Sequence, residues 1–185
     1  WKRIKISCWL AQRARIKGTK YHAIFEQIIT AEDVEPAVAV MFNNGEIDRD
    51  TYENLVREFS SALSCEPLRK WFDGSCKVYN EFNIIYPMDE KNDDKLKRPD
   101  RVMVFSDEVV ILDYKFGTEK HDMKYAKQVA IYKELISQMK QFSGKNVSAY
   151  IWYYFKNELV KVDSPEAITT INLSWYEEIH KVFGS

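Results

Sequence analysis

The chain has 185 residues, of which 45% are hydrophobic and 14% aromatic, and this composition excludes disorder over most of its length. With only 6 Gly and 5 Pro it is not fibrous or linker-like. The 27 basic and 28 acidic side chains give a formal net charge of −1, so bulk charge does not point to a nucleic-acid partner.

The cysteines and the hydropathy of the sequence predict the cellular compartment and whether the chain crosses a membrane. The three cysteines, at 8, 65 and 76, form no CxxC pair, which predicts free thiols in a cytoplasmic protein. No apolar run approaches 18 residues, so no membrane span is expected. Because the sequence opens on Trp1, with neither an initiator Met nor a signal peptide, we interpret it as a fragment of a longer protein.

The first part of the chain, residues 1–73, has helical periodicity and few breakers. One helix is predicted to start near Gly18 and to carry His22. Asp48 is a predicted N-cap for the helix that follows it, whose apolar stripe contains Leu55, Phe59 and Leu63.

From Lys77 onward the pattern is that of strands around one long helix. The sequence predicts strands at 77–87, 99–105 and 108–115, with a charged loop at 88–98 between the first two. It further predicts a helix at 121–142, a hairpin of 146–155 with 158–162, and a short closing helix at 174–183. The order predicts an α+β fold with a central mixed sheet flanked by helices, in a single domain spanning 1–185.

The sharpest prediction concerns the hairpin of 99–105 and 108–115. If Ser106 and Asp107 form its tip, Asp100 lies directly opposite Asp113 on one face. Like charges in that position are destabilising unless something offsets them, and a divalent cation would do so. Strand periodicity puts Lys115 on the same face, where an ammonium would orient a water or neutralise charge on a phosphate.

The register leaves an alternative open. Ser106 and Asp107 are not a preferred two-residue turn, and a slip of one residue would put the acids on opposite faces. In the plainer interpretation, Asp100 and Asp113 are strand-end residues solvated at the rim of the sheet.

The string RPDRVMVFSDEVVILDYK at 98–115 resembles the PD-(D/E)xK nucleases, and most closely the RecB/AddA-type nuclease domain at the C-terminus of helicase–nucleases. GTKYHAIFE at 18–26 is similar to an early Gly-x-x-x-His-x-x-x-Glu helix of that family. Glu81 resembles its strand-one acid, and the Q-x-x-x-Y of Gln128 and Tyr132 is similar to a later helix motif. The chain departs from many relatives in having Arg-Pro-Asp, and not Gly-x-Ile-Asp, at Asp100.

The resemblance implies a restriction-endonuclease-like fold and a metal-dependent DNA nuclease. It assigns Mg²⁺ or Mn²⁺ to His22, Asp100, Asp113 and the carbonyl oxygen of Tyr114, and water activation to Lys115. It further implies a second-metal or orienting role for Glu81 and supporting or DNA-contacting roles for Glu26, Gln128 and Tyr132. The three cysteines do not match the four of the cluster-bearing branch, so no iron–sulfur cluster is expected.

The implied partners are single-stranded or duplex DNA ends, a helicase domain upstream in the same chain, and a partner subunit. Exonuclease activity in DNA end processing and recombinational repair is the leading hypothesis. A catalytically silent DNA-binding or structural module of a helicase, and a stand-alone nuclease of the same superfamily, are the alternatives.

Overall fold

The computed structural model describes residues 18–85, 96–117 and 122–174. The chain divides into two compact units, with the boundary between Phe72 and Asp73. In the described ranges, the first unit is helical and the second contains the strands, in agreement with the change of pattern predicted at Lys77. That both units form one nuclease domain stays a prediction.

The first unit contains four helices in its described part. They are α1 (Gly18–Phe25), α2 (Val34–Asn43), α3 (Arg49–Leu63) and α4 (Leu68–Trp71). The Asp48 carboxylate accepts a hydrogen bond of 2.8 Å from the backbone N–H of Thr51, which confirms the predicted N-cap of α3. The predicted stripe of Leu55, Phe59 and Leu63 is buried.

The second unit is built on a six-stranded mixed sheet and one long helix, which confirms the predicted α+β architecture. Its strands are β1 (Lys77–Asn80), β2 (Ile84–Ile85), β3 (Leu96–Lys97), β4 (Arg101–Val104), β5 (Glu108–Lys115), β6 (Asn146–Tyr153), β7 (Glu158–Val162) and β8 (Ile168–Asn172), and its helix is α5 (Asp122–Ser137). The sheet order is β1-β4-β5-β6-β7-β8, with β2 and β3 as a separate ribbon. Only β5 and β6 pair in parallel in the described chain.

Helix α5 supplies the main core of this unit. Its apolar face packs with alternate residues of β4, β5 and β6, since side chains on one face of a strand recur every second position. The core includes Val102, Ile111, Val129, Tyr132, Ile136 and Ile151. The face of the β4–β5 hairpin that ends in Asp100 and Asp113 is therefore the face that α5 covers.

The two strand segments before the hairpin continue one another. Lys77 pairs with Val104, and Ile85 pairs with Leu96 in the same antiparallel register. Backbone hydrogen bonds from Glu81 to Asp100 (2.8 Å) and from Phe82 to Pro99 (3.1 Å) bridge the interval. The antiparallel pairing thus continues from β1 and β4, past Asp100, into the ribbon of β2 and β3.

Some sequence expectations differ from the structure. The helix predicted over 121–142 ends at Ser137. The strand predicted over 77–87 is interrupted after Asn80, where Glu81 adopts a left-handed conformation with φ of 52°, and strand structure resumes at Ile84–Ile85. The charged loop predicted at 88–98 contains strand β3, and strand β8 at the sheet edge was not predicted. The closing helix predicted at 174–183 lies, apart from Ser174, outside the described residues, as do Cys8 and His121.

Within the described ranges, none of the helices has the length and apolarity needed to traverse a bilayer. The cytoplasmic location stays a prediction.

Candidate active site

The β4–β5 hairpin has the register that the sequence predicted. Arg101 pairs with Leu112, and the Phe105 N–H donates to the carbonyl of Glu108 over 2.9 Å at the tip. The next residues along the two strands in this register are Asp100 and Asp113. The slipped register, with the acids on opposite faces, is therefore wrong.

Asp113 is only 2% exposed, so it is not a solvated rim residue. Asp100 is half-buried, and its Oδ2 accepts a hydrogen bond of 2.6 Å from the backbone N–H of Tyr114. Burial and the neighbouring Asp113 carboxylate raise the pKa of Asp100 to about 8 from its ordinary value of 3.8. Burial and the charge of Asp113 thus both favour the protonated form of Asp100.

Lys115 belongs to this pair. Its Nζ forms an ion pair with Oδ2 of Asp113, and its side chain is only 17% exposed. The same Nζ lies 4.4 Å from the centroid of the Tyr125 ring on α5. The ammonium therefore lies beside the carboxylates, as strand periodicity predicted.

Glu81 reaches the site through its backbone. Its N–H donates to the carbonyl oxygen of Asp100, whereas its carboxylate forms an ion pair of 2.7 Å with Nε of Arg98. A glutamate in the left-handed region is uncommon, and such strained positions cluster at functional sites. Glu81 also contributes to raising the pKa of Asp100.

Gln128 and Tyr132 share one face of α5. The Nε2 of Gln128 donates to the Tyr132 hydroxyl over 2.7 Å, which gives the Q-x-x-x-Y spacing a physical meaning. Tyr132 is buried, and burial and the negative charge of Asp113 raise the pKa of its phenol. The two side chains are thus joined on one face of α5, and their predicted supporting or DNA-contacting role stays a prediction.

His22 and Glu26 belong to the helical unit. His22 is half-buried on α1, and its carbonyl accepts a hydrogen bond of 2.9 Å from the N–H of Glu26, an exposed residue just beyond the helix end. Their predicted roles as metal ligand and orienting partner stay predictions.

The donor set in the second unit fits a hard divalent cation. Asp100 and Asp113 offer carboxylate oxygens, which Mg²⁺ and Mn²⁺ prefer, and one of the two is almost fully buried. A cation would offset the repulsion that raises the pKa of Asp100. In residues 18–85, 96–117 and 122–174, no group of three or more His, Cys, Asp or Glu is placed to hold a metal. Two carboxylates leave positions for water and substrate, as Mg²⁺ sites ordinarily do.

Sequence reasoning missed two residues around the site. Arg101 is fully buried on β4, and the available signal was a charged residue that continues directly into the apolar run Val102–Val104. The contact of Tyr125 with Lys115 depends on how α5 packs on the sheet, which the spacing of residues along the helix does not show.

The comparison with protein families gives one match. The sequence model described as the PD-(D/E)XK nuclease superfamily matches residues 10–181, which is most of the chain. No curated protein matches the sequence significantly.

Proposed function

The chain belongs to the PD-(D/E)XK nuclease superfamily, and from this premise we propose that it is a metal-dependent nuclease that hydrolyses phosphodiester bonds of DNA. The observation that carries the proposal is the pairing of Asp100 with the buried Asp113 at the end of one hairpin, with the Lys115 ammonium in contact. A buried pair of like charges is costly to keep, and a divalent cation together with a phosphate gives it a use.

We assign the metal to the carboxylates of Asp100 and Asp113 and the carbonyl oxygen of Tyr114. The imidazole of His22 is added as a ligand on the resemblance to the family motif alone. Mg²⁺ or Mn²⁺ bound there would polarise the scissile phosphate and lower the pKa of a coordinated water. An imidazole among the ligands would favour Mn²⁺ over Mg²⁺. The Tyr114 N–H orients Asp100 for this role, since it fixes one of the two carboxylate oxygens.

Lys115 orients the attacking water and offsets the negative charge that develops on the phosphate. Glu81 orients groups next to the metal or contributes to a second metal position. Gln128 and Tyr132 hold α5 over the acids or contact a DNA phosphate, and Glu26 orients His22. These assignments rest on the resemblance to the family motifs and on the contacts of the second unit.

The finer context is also a proposal. The motif set favours a RecB/AddA-like helicase–nuclease, with exonuclease activity in DNA end processing and recombinational repair. A cytoplasmic location, a helicase domain upstream and a partner subunit would accompany it. The net charge of −1 is compatible with DNA binding, because phosphate contacts depend on local charge and not on the total.

The test is cleavage of end-labelled single-stranded and duplex DNA by the purified chain, with Mg²⁺ or Mn²⁺ and with EDTA. The Asp113→Ala variant should lose about a hundredfold or more in rate. Asp107→Ala is the matched control, because Asp107 is an exposed acid at the opposite end of the same hairpin. It should keep the wild-type rate.

If folded wild-type protein binds DNA but does not cleave it with either metal, the nuclease proposal is wrong and the catalytically silent DNA-binding module is the better interpretation. Labelled products that shorten from the ends would support an exonuclease, whereas internal cuts in a closed circle would contradict that finer assignment.

A further inference from the structure

The ammonium of Lys115 has an aromatic neighbour that neither the motifs nor the proposed mechanism uses. Nζ of Lys115 lies 4.4 Å from the ring centroid of Tyr125, well inside the ~6 Å range over which a cation is attracted to the face of an aromatic ring. Tyr125 is half-buried on the first turn of α5, so part of this contact is shielded from water. Such shielding strengthens the attraction.

The Tyr125 ring is itself supported. Tyr153 pairs with Lys115 across the parallel β5–β6 ladder, and its ring centroid lies 6.3 Å from that of Tyr125 at an interplanar angle of 52°. Burial and, after it, the carboxylate of Asp122 at the start of α5 raise the pKa of the Tyr153 phenol. The Tyr125 ring, which contacts Lys115, therefore packs against the ring of Tyr153 on β6.

We propose that Tyr125 is a positioning residue for Lys115, whose ring holds the ammonium beside Asp113 in the geometry that phosphodiester hydrolysis requires. The inference rests on the proposed nuclease function for its purpose, but the contact is a property of the protein alone. Lysine has a long flexible stem, so its ammonium needs fixed neighbours to stay in one place.

The physical reason that the ring matters is competition for Asp113. The same carboxylate that pairs with Lys115 is a proposed metal ligand, and a bound cation would weaken its hold on the ammonium. An aromatic ring is not a ligand for a hard cation, which takes oxygen. Tyr125 is therefore the contact of Lys115 that persists when Asp113 is engaged elsewhere.

The first test compares Tyr125→Phe with Tyr125→Leu in metal-dependent DNA cleavage. Phenylalanine keeps the ring and should retain a kcat close to that of the wild type, whereas leucine should lower kcat about three- to tenfold. Mn²⁺ affinity and KM should change little in both variants. Lys124→Met is the matched control. Lys124 is exposed and its Nζ lies 5.9 Å from the centroid of the same ring, so removing this second cation should leave kcat unchanged.

A double-mutant cycle separates positioning from a general structural effect. In a Lys115→Ala background, Tyr125→Leu should produce no further loss of kcat, because the residue that it positions is absent. Additive losses, or equal losses in the phenylalanine and leucine variants, would overturn the inference.

A second readout needs neither metal nor activity. In protein labelled with ¹³C-lysine, the ε-methylene protons of Lys115, identified by the signal missing in Lys115→Arg, should be shifted upfield by the ring. The shift should persist in Tyr125→Phe and vanish in Tyr125→Leu. An unshifted Lys115 signal in the wild type would reject the contact. Folded wild-type protein that shows the shift but cleaves no DNA would instead reject the proposed function and leave the contact standing.

Discussion

The backbone N–H of Tyr114 donates a hydrogen bond of 2.6 Å to Oδ2 of Asp100, across the two strands of one hairpin. The contact ties the first acid of the proposed site to the strand that carries the second acid, Asp113, and Lys115. It favours the ionised form of Asp100, whereas burial and the Asp113 charge oppose it more strongly. The hairpin therefore holds the two carboxylates close together, and a bound cation would offset the repulsion between them.

The raised pKa of Asp100 predicts a pH-dependent stability in metal-free protein. A carboxyl whose pKa rises from 3.8 to about 8 on folding binds its proton more tightly in the folded state. The contribution of this carboxyl to the free energy of unfolding is complete below about pH 4 and is lost as the pH rises to about 8. Asp100→Asn, which is neutral throughout, should escape this loss.

The measurement is thermal unfolding of both proteins in EDTA between pH 5 and pH 9. The midpoint of Asp100→Asn should exceed that of the wild type by about a few degrees at pH 9 and by less at pH 5. Adding Mn²⁺ at pH 8 should raise the wild-type midpoint and leave the variant nearly unchanged. A gap that is constant with pH would show that Asp100 titrates normally.

His22 should contribute to metal affinity if it is a ligand. His22→Ala should weaken Mn²⁺ binding by at least about tenfold in calorimetry, since even partners that only orient a ligand are worth that much. The loss should be smaller for Mg²⁺, which prefers oxygen. His180→Ala, to which the sequence assigns no role, is the control; equal affinities in both variants would remove His22 from the metal site.

The cap of α3 offers a test of the helical unit. Asp48→Ala should lower the free energy of unfolding by about 1 kcal/mol, because the N–H of Thr51 loses its acceptor. Asp48→Asn keeps a capping oxygen and should cost much less. Urea unfolding of the three proteins measures the difference, and equal stabilities of the alanine and asparagine variants would show that the cap contributes little.

The hairpin could be predicted from the sequence because both of its faces are apolar and its acids fall at matched positions. Burial on both sides fixes the register, and the register alone brings Asp100 opposite Asp113. The cap at Asp48 was equally local, since a capping side chain and the backbone N–H that donates to it lie within one turn.

The remaining features depend on tertiary context. Strand β8 is exposed at all five positions, so no buried face left an alternating pattern to recognise. Glu81 turns into the left-handed region without the glycine that usually marks such a turn. The Lys115–Tyr125 contact joins a strand to a helix, and the spacing of residues within one element carries no information about it.

Anomalous diffraction from a crystal of the protein soaked in Mn²⁺ tests the central claim most directly. We expect one strong anomalous peak at about 2.0–2.2 Å from carboxylate oxygens of both Asp100 and Asp113, and no such peak in Asp113→Ala crystals. Asp100 and Asp113 side chains directed away from each other, with no peak between them, would contradict it.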